Sequence, residues 1–333
     1  MKRFVRKILF FFLPLAMIVA VVIGIDFFKI FGFQDYYEGN TIGLNREMVC
    51  TTTYNEYHKQ EKFDSFIFGS SRSQAFKCKE WAQYINDDAV PFHFDASGEG
   101  VWGISMKMNY VVECGGTIEN AIIVLDRETL ITTKARKGHL FVPMPCVSKA
   151  SNYDYYLTYI KASLDGEFLL AYSDYSMFGE HKEYMGHLIR KTKYDHKPNR
   201  INCDLWYGYD DHIRDDSLGY YKALIEDETF YDRPVVEFLK CDITQEEIDQ
   251  LQTIKRILKK FKTNYKIVIS PVYDQIPLEN KQLKLLHEIF GKENVYDYSG
   301  INTMTNEISN YYEASHYRVH IADGILKEMY RND

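Results

Sequence analysis

The sequence predicts an α/β fold with a mostly parallel sheet, and three observations carry that expectation. Short apolar runs rich in β-branched and aromatic residues recur along the chain, as buried strands do. Segments of helical length and periodicity lie between them, the alternation that βαβ units produce. Several runs stop abruptly at turn or cap residues, as at Gly69-Ser70-Ser71, Asp126 and Pro271. At 333 residues and 46% apolar types, the chain can form one large domain, or one domain carrying a big insertion. Its net charge of −7 argues against general nucleic-acid binding.

In chain order, Lys2, Arg3, Arg6 and Lys7 precede an uncharged run from Ile8 to Ile25, closed by Asp26. As a helix this run rises about 27 Å, close to the ~30 Å of a bilayer core. Phe27, Phe28, Phe31 and Phe33 extend its apolar end, and Pro14 is tolerated in a membrane helix. The basic flank predicts a cytoplasmic N-terminus and a main domain outside the cytoplasm, periplasmic or extracellular. Residues 1–33 therefore read as an uncleaved signal anchor that contacts the cytoplasmic membrane through residues 8–28. A cleaved signal peptide and a buried helix are the alternatives. Residues 34–62 read as a polar juxtamembrane linker.

The α/β pattern begins at residue 63. Residues 65–69 are the first strand and 71–85 a helix; 91–96 and 101–114 repeat the pair; 121–125, "AIIVL", is the third strand. The pattern then dissolves. Residues 135–242 are rich in Tyr, Asp, Lys and His and read as an insertion outside the sheet. Within it, residues 181–200 carry six Lys or Arg, a solvated face or a surface for an anionic glycan. Thr244 before Glu247 forms a capping box, and Ile248, Leu251, Ile254 and Leu258 keep helical spacing behind it. Residues 266–270, "KIVIS", are the fourth strand, 278–290 a helix, 294–298 the fifth strand and 321–330 the closing helix. Six cysteines, at 50, 78, 114, 146, 203 and 241, contain no C-x-x-C. A zinc ribbon or thioredoxin motif is thus unsupported, and an exported domain leaves room for one to three disulfides of unspecified pairing.

Chemistry concentrates at strand ends. Ligands of open parallel sheets bind beyond the carboxyl ends of the strands, where Ser70 and Ser71 lie. A serine there either caps the following turn or acts as a nucleophile beside unpaired backbone N–H groups. A nucleophile needs a base. His316, in "NYYEASHYRVHIADGIL", follows the last strand at the same edge, and Glu313 three residues earlier can orient its ring. Glu313, His316 and His320 also spell E-x-x-H-x-x-x-H, but the acid is misplaced for H-E-x-x-H and no third ligand is apparent, so no metal is expected. Gly98-x-Gly100-x-x-Gly103, with Asp126 ending the next strand, matches a dinucleotide fingerprint locally. Against it stand the bulk of Trp102 and the earlier unit at "FIFGSS". The same glycines suit an oxyanion site.

Taken in order, these blocks resemble the SGNH/GDSL hydrolase superfamily, most closely its membrane-anchored members that accompany polysaccharide or cell-wall O-acyl transfer. Gly69-Ser70-Ser71 matches the first block, with Ser71 as nucleophile; "ASGEG" matches the second, with Gly98 and then Gly100 as oxyanion glycine; Glu313-Ala314-Ser315-His316 matches the last, with Glu in place of the usual Asp. The third-block position, often an oxyanion Asn, falls at Asp126, and an ionised Asp cannot donate. The resemblance implies a three-layer α/β/α domain with a flavodoxin-like sheet. It implies a cofactor-free triad of Ser71, His316 and Glu313, with backbone N–H groups of Ser71 and Gly98 or Gly100 at the oxyanion. It also implies an extracytoplasmic glycan substrate and a membrane-bound O-acyltransferase as partner. A non-catalytic accessory protein of the same fold is the alternative.

Overall fold

In the computed structural model, which describes residues 2–32, 35, 37, 40–190, 196–233 and 238–331, parallel pairing organises the chain. Five strands, β1 (Ser65–Gly69), β2 (Pro91–His93), β3 (Asn120–Leu125), β4 (Asn264–Ile269) and β5 (Val295–Asp297), form one sheet in the order β2-β1-β3-β4-β5. Every pair is parallel, with Phe66 facing Phe92 on one side and Ala121 on the other, and Val124 facing Val268. β1 and β3 are buried along their whole length, which both-face coverage requires. The five expected strands are these: β1 has the expected ends, and the ends of the others shift by at most three residues.

The principal helices are α1 (Lys2–Ile25), α2 (Arg46–Glu61), α3 (Val101–Glu113), α4 (Arg127–Ile131), α5 (Asn152–Ser163), α6 (Gly166–Phe178), α7 (Gln245–Phe261), α8 (Asn280–Phe290) and α9 (Val319–Met329). Side chains alternate across the strands. Phe66, Phe68, Ile123 and Ile267 pack one face against α2, α3, α7 and α8. Ile67, Ile122, Val124 and Val268 pack the other against Trp81 and against Ile325 and Leu326 of α9.

Two expectations need correction. Residues 71–85 are not one helix but a 3-10 turn (Ser71–Ala75), a short helix (Cys78–Trp81) and a second 3-10 turn (Ala82–Tyr84). Phe76 is extended between the first two pieces, and Ala75, Phe76, Cys78 and Trp81 are all buried at a spacing that no helix repeats. Residues 34–62 are not merely a linker, because α2 lies in the core. Asn45 caps it by accepting from the Glu47 and Met48 N–H groups at 3.0 and 3.3 Å. Its buried face mixes Arg46, Glu47, Thr51 and Thr53 with Met48, Val49, Cys50 and Tyr54, so no apolar stripe announced it.

Among the described residues of 135–242, none joins the five-stranded sheet. Tyr155, Tyr159 and Phe168 of α5 and α6 gather Val22 of α1 and Phe27 and Phe28 behind it into a separate cluster. α1 runs for 24 residues, but the side chains at 1–5, 7–9 and 15 lie outside the described residues. Among the described residues no helix is long and apolar enough to cross a membrane, so the expected span is not found there. Phe33 of the aromatic extension and Lys191 and Lys193 of the basic stretch also fall outside them.

Glu247, in the first turn of α7, is 1% exposed, and burial pushes its carboxyl from an ordinary 4.5 up to about 7. The folded chain thus keeps a proton that the unfolded chain releases near 4.5, and stability falls as pH rises from there to 7. Glu247→Gln should raise stability at pH 8 by on the order of 1–3 kcal/mol and change it little at pH 4. Melting curves at the two pH values check this.

Candidate active site

β1 ends at Gly69, whose φ of +155° favours glycine and where a Cβ would lie 2.9 Å from the Val124 carbonyl oxygen. The chain then turns sharply. Ser70 is the cap: its Oγ accepts from the Arg72 N–H at 3.4 Å, and its carbonyl accepts from the Ser73 N–H at 2.9 Å and the Ser73 hydroxyl at 2.8 Å. The two serines therefore divide the roles the sequence left open. Ser70 is buried in the turn, and Ser71 faces a cavity of 520 Å³ at the carboxyl edge of the sheet.

Across that cavity stands a hairpin, Tyr311–Glu313 against His316–Tyr317, in which Glu313 and His316 are cross-strand partners. His316 Nε2 lies 2.8 Å from Ser71 Oγ, although 245 residues separate them. His316 Nδ1 meets Glu313 Oε1, and the second Glu313 oxygen accepts from the Ser315 N–H at 2.7 Å. Burial alone would raise the Glu313 carboxyl, but the hydrogen bonds from His316 and Ser315 outweigh it and hold the group below its ordinary value. An ionised Glu313 assigns the proton to Nδ1, which leaves the Nε2 lone pair to accept from the Ser71 hydroxyl. The arrangement can deprotonate Ser71 as it attacks and can stabilise the imidazolium that results.

The expected glycines separate. Gly98 has φ +57° and lines the cavity with Ser71; the Ser71 and Gly98 N–H groups have no acceptor among the described residues. Gly100 caps α3 and is pressed against Thr132, whose carbonyl oxygen would lie 2.2 Å from an added Cβ. It does not line the Ser71 cavity. Of the two glycines, Gly98 is therefore the one whose N–H is placed beside Ser71. Gly103 lies inside α3, covered by the Glu99 carboxylate.

Asp126 is not an oxyanion donor. It caps α4 by accepting from the Thr129 N–H at 2.9 Å, and its other oxygen pairs with Arg72 Nη1 at 2.7 Å. Arg72 was not anticipated, although it adjoins Ser71. Its Nε donates to the Ser315 carbonyl at 3.2 Å, so one guanidinium ties the Ser71 turn, the β3 end and the His316 hairpin together. His320 turns to Asn310 Oδ1 at 3.0 Å, and among the described residues no three His, Cys, Asp or Glu side chains converge as a metal site.

Arg46 was also missed. Its guanidinium lines the cavity floor and pairs with Asp95 at 2.7 Å, and both are buried. No sequence signal marked it, since it belongs to the helix read as linker. Compared with known proteins, the chain matches no protein-family model and no curated protein sequence.

Proposed function

We propose that this domain performs serine-dependent acyl-ester chemistry, moving an acyl group, as acetyl, onto or off a hydroxyl of an extracytoplasmic glycan. The observation that carries the reading is the contact of Ser71 Oγ with His316 Nε2 at 2.8 Å in an open cavity, with Glu313 on the far side of the ring. Ser71 Oγ attacks the ester carbonyl while its proton passes to His316 Nε2. The oxyanion lies against the Ser71 and Gly98 N–H groups. His316 then returns the proton to the leaving alkoxide, and water or a glycan hydroxyl accepts the acyl group by the reverse sequence.

The sheet order 2-1-3-4-5 is that of flavodoxin-like folds and supports the SGNH-like reading. The accessory-protein alternative calls for a filled cleft or side chains turned apart, and neither is found. The dinucleotide alternative loses support at α3. A pyrophosphate would sit at that helix N-terminus, where the Glu99 carboxylate already lies, and Asp126 is engaged by Arg72.

A serine-reactive phosphonate tests the proposal, with label expected on wild type and absent from Ser71→Ala. Equal labelling removes Ser71 from the mechanism. Glu313→Gln should lower kcat for p-nitrophenyl acetate by roughly 10²–10⁴-fold, because the amide no longer fixes the tautomer or offsets the imidazolium. The reading retains anchorage through residues 8–28 and a membrane O-acyltransferase as partner. Extraction of cell membranes at alkaline pH should leave the full chain in the pellet; its release into the supernatant would sink the anchor.

A further inference from the structure

We propose that the cavity beside Ser71 selects an acidic sugar, one that bears a carboxylate or phosphate, and that Arg136 reads the negative charge. The inference rests on the acyl-chemistry reading and narrows its substrate class. Three glutamates line the cavity, and each is already engaged: Glu313 by His316, Glu99 by Lys107, and Glu128 by Arg72 at 3.7 Å. Among the arginines that line the same cavity, Arg46 and Arg72 are paired with Asp95 and Asp126, both at 2.7 Å, and Arg136 is not balanced in that way. Arg136 Nη1 donates to the Gly98 carbonyl at 3.2 Å and its guanidinium lies over Phe141 at 5.1 Å, yet it has no carboxylate partner among the described residues. Arg46 spends Nε and Nη2 on Asp95 and the Cys203 carbonyl, while its buried Nη1 has no partner among the described residues. A guanidinium stacked on a ring and aimed at a cavity is suited to bidentate capture of an oxyanion. Contact with Gly98 fixes its position: a sugar whose ester carbonyl reaches the Gly98 N–H places its ring substituents beside Arg136. Phe141, Tyr209 and Tyr312 supply aromatic walls for the ring itself.

The test is equilibrium binding to the full chain carrying Ser71→Ala, which removes turnover from the readout. A glucuronate oligosaccharide and a sugar phosphate are each compared with a neutral glucose oligosaccharide of similar size. At least one acidic probe should bind about tenfold or more tightly than the neutral one, and the two acidic arms distinguish carboxylate from phosphate. Adding Arg136→Gln should abolish that preference, and Arg136→Lys should restore part of it. Equal binding of all three probes overturns the inference, as does a preference that survives Arg136→Gln. Failure of the acyl chemistry would show separately, as absence of phosphonate labelling on Ser71.

A different observation supports a second inference. We infer that Cys50 and Cys203 close a disulfide when the chain matures in an oxidising compartment. Cys50 on α2 and Cys203 in the insertion are 153 residues apart, fully buried, and their sulfurs lie 3.0 Å apart. Each thiol loses a proton and an electron to an external disulfide, which is reduced to two thiols as the new S–S bond forms. The bond would form as the insertion docks, before burial seals it. It would staple two cavity walls together, since Arg46 and Val49 of α2 and Leu205 of the insertion all line the site. The full chain refolded in oxidised glutathione should yield a Cys50–Cys203 linked peptide, and reduction should lower its Tm by about 10 °C. Complete alkylation of both thiols after oxidation, or pairing of either with another cysteine, overturns this.

Discussion

Ser71→Ala should lower turnover of an activated acetyl ester by about 10³-fold or more while the fold survives. The size follows from triad behaviour: without the nucleophile, His316 and Glu313 have nothing to activate, and only the oxyanion groups and binding remain. The fold survives because Ser71 is partly exposed and its hydroxyl makes one contact, to His316. The cap and turn bonds belong to Ser70 and Ser73. A second Ser–His–Asp line makes this result discriminating. Ser73 Oγ lies 3.0 Å from His93 Nε2, and His93 Nδ1 lies 3.1 Å from Asp204. By residue type it matches the proposed triad except that its acid is Asp and not Glu, but Ser73 and His93 are fully buried and neither lines the cavity. The hydroxyl of Ser73 is committed to the Ser70 carbonyl, so this line braces the turn that carries Ser71. Peptide mapping after phosphonate treatment should place the label on Ser71. Label on Ser73, or undiminished turnover in Ser71→Ala, would refute the assignment.

Much of this site could be read in the sequence because its parts sit at the ends of strongly patterned elements. β1, β3 and β4 carry apolar runs toward their carboxyl ends, so those ends are visible, and Ser71 follows one of them. Glu313 and His316 were adjacent enough to be read as a pair, and a tight hairpin brings them together. What escaped was whatever depends on contacts between distant segments. α2 was hidden because half of its buried face is polar, and that half and its cap are satisfied only in three dimensions: Arg46 by Asp95, Asn45 by the Val142 carbonyl and Glu47 by the Met144 N–H. The broken helix at 71–85 escaped because Ser73 answers to His93 and Ser70, and not to a local helical ladder. Arg72 stood beside the nucleophile, but its partners Asp126 and Ser315 come from strand and hairpin ends far along the chain.

Asp95→Ala should destabilise the domain by roughly 3–5 kcal/mol, the largest stability effect expected of a single polar substitution here. Asp95 is fully buried at the end of β2 and accepts from Arg46 Nε at 2.9 Å, Arg46 Nη2 at 2.7 Å and Gln74 Nε2 at 2.5 Å. Its removal leaves the Arg46 charge in the core without a counter-ion, and that uncompensated charge dominates the cost. A charge-free pair separates this cost from the worth of the bridge itself. Arg46→Met combined with Asp95→Leu should recover most of the stability, because desolvating both ions offsets much of their attraction. The pH dependence has a defined sign. Burial would raise the Asp95 carboxyl, but the Arg46 charge outweighs it and holds the group well below the usual range. The stabilisation is therefore fully present above the unfolded value near 4 and is lost only as pH falls through the lower folded value. Denaturant titrations should show a constant gap between wild type and Asp95→Ala from pH 5 to 8, narrowing in stronger acid. A gap under about 1 kcal/mol at pH 7 would mean that Arg46 finds water or another acceptor when Asp95 is gone. The cavity floor beside Ser71 would then be wetter and less fixed than the Arg46–Asp95 contact implies.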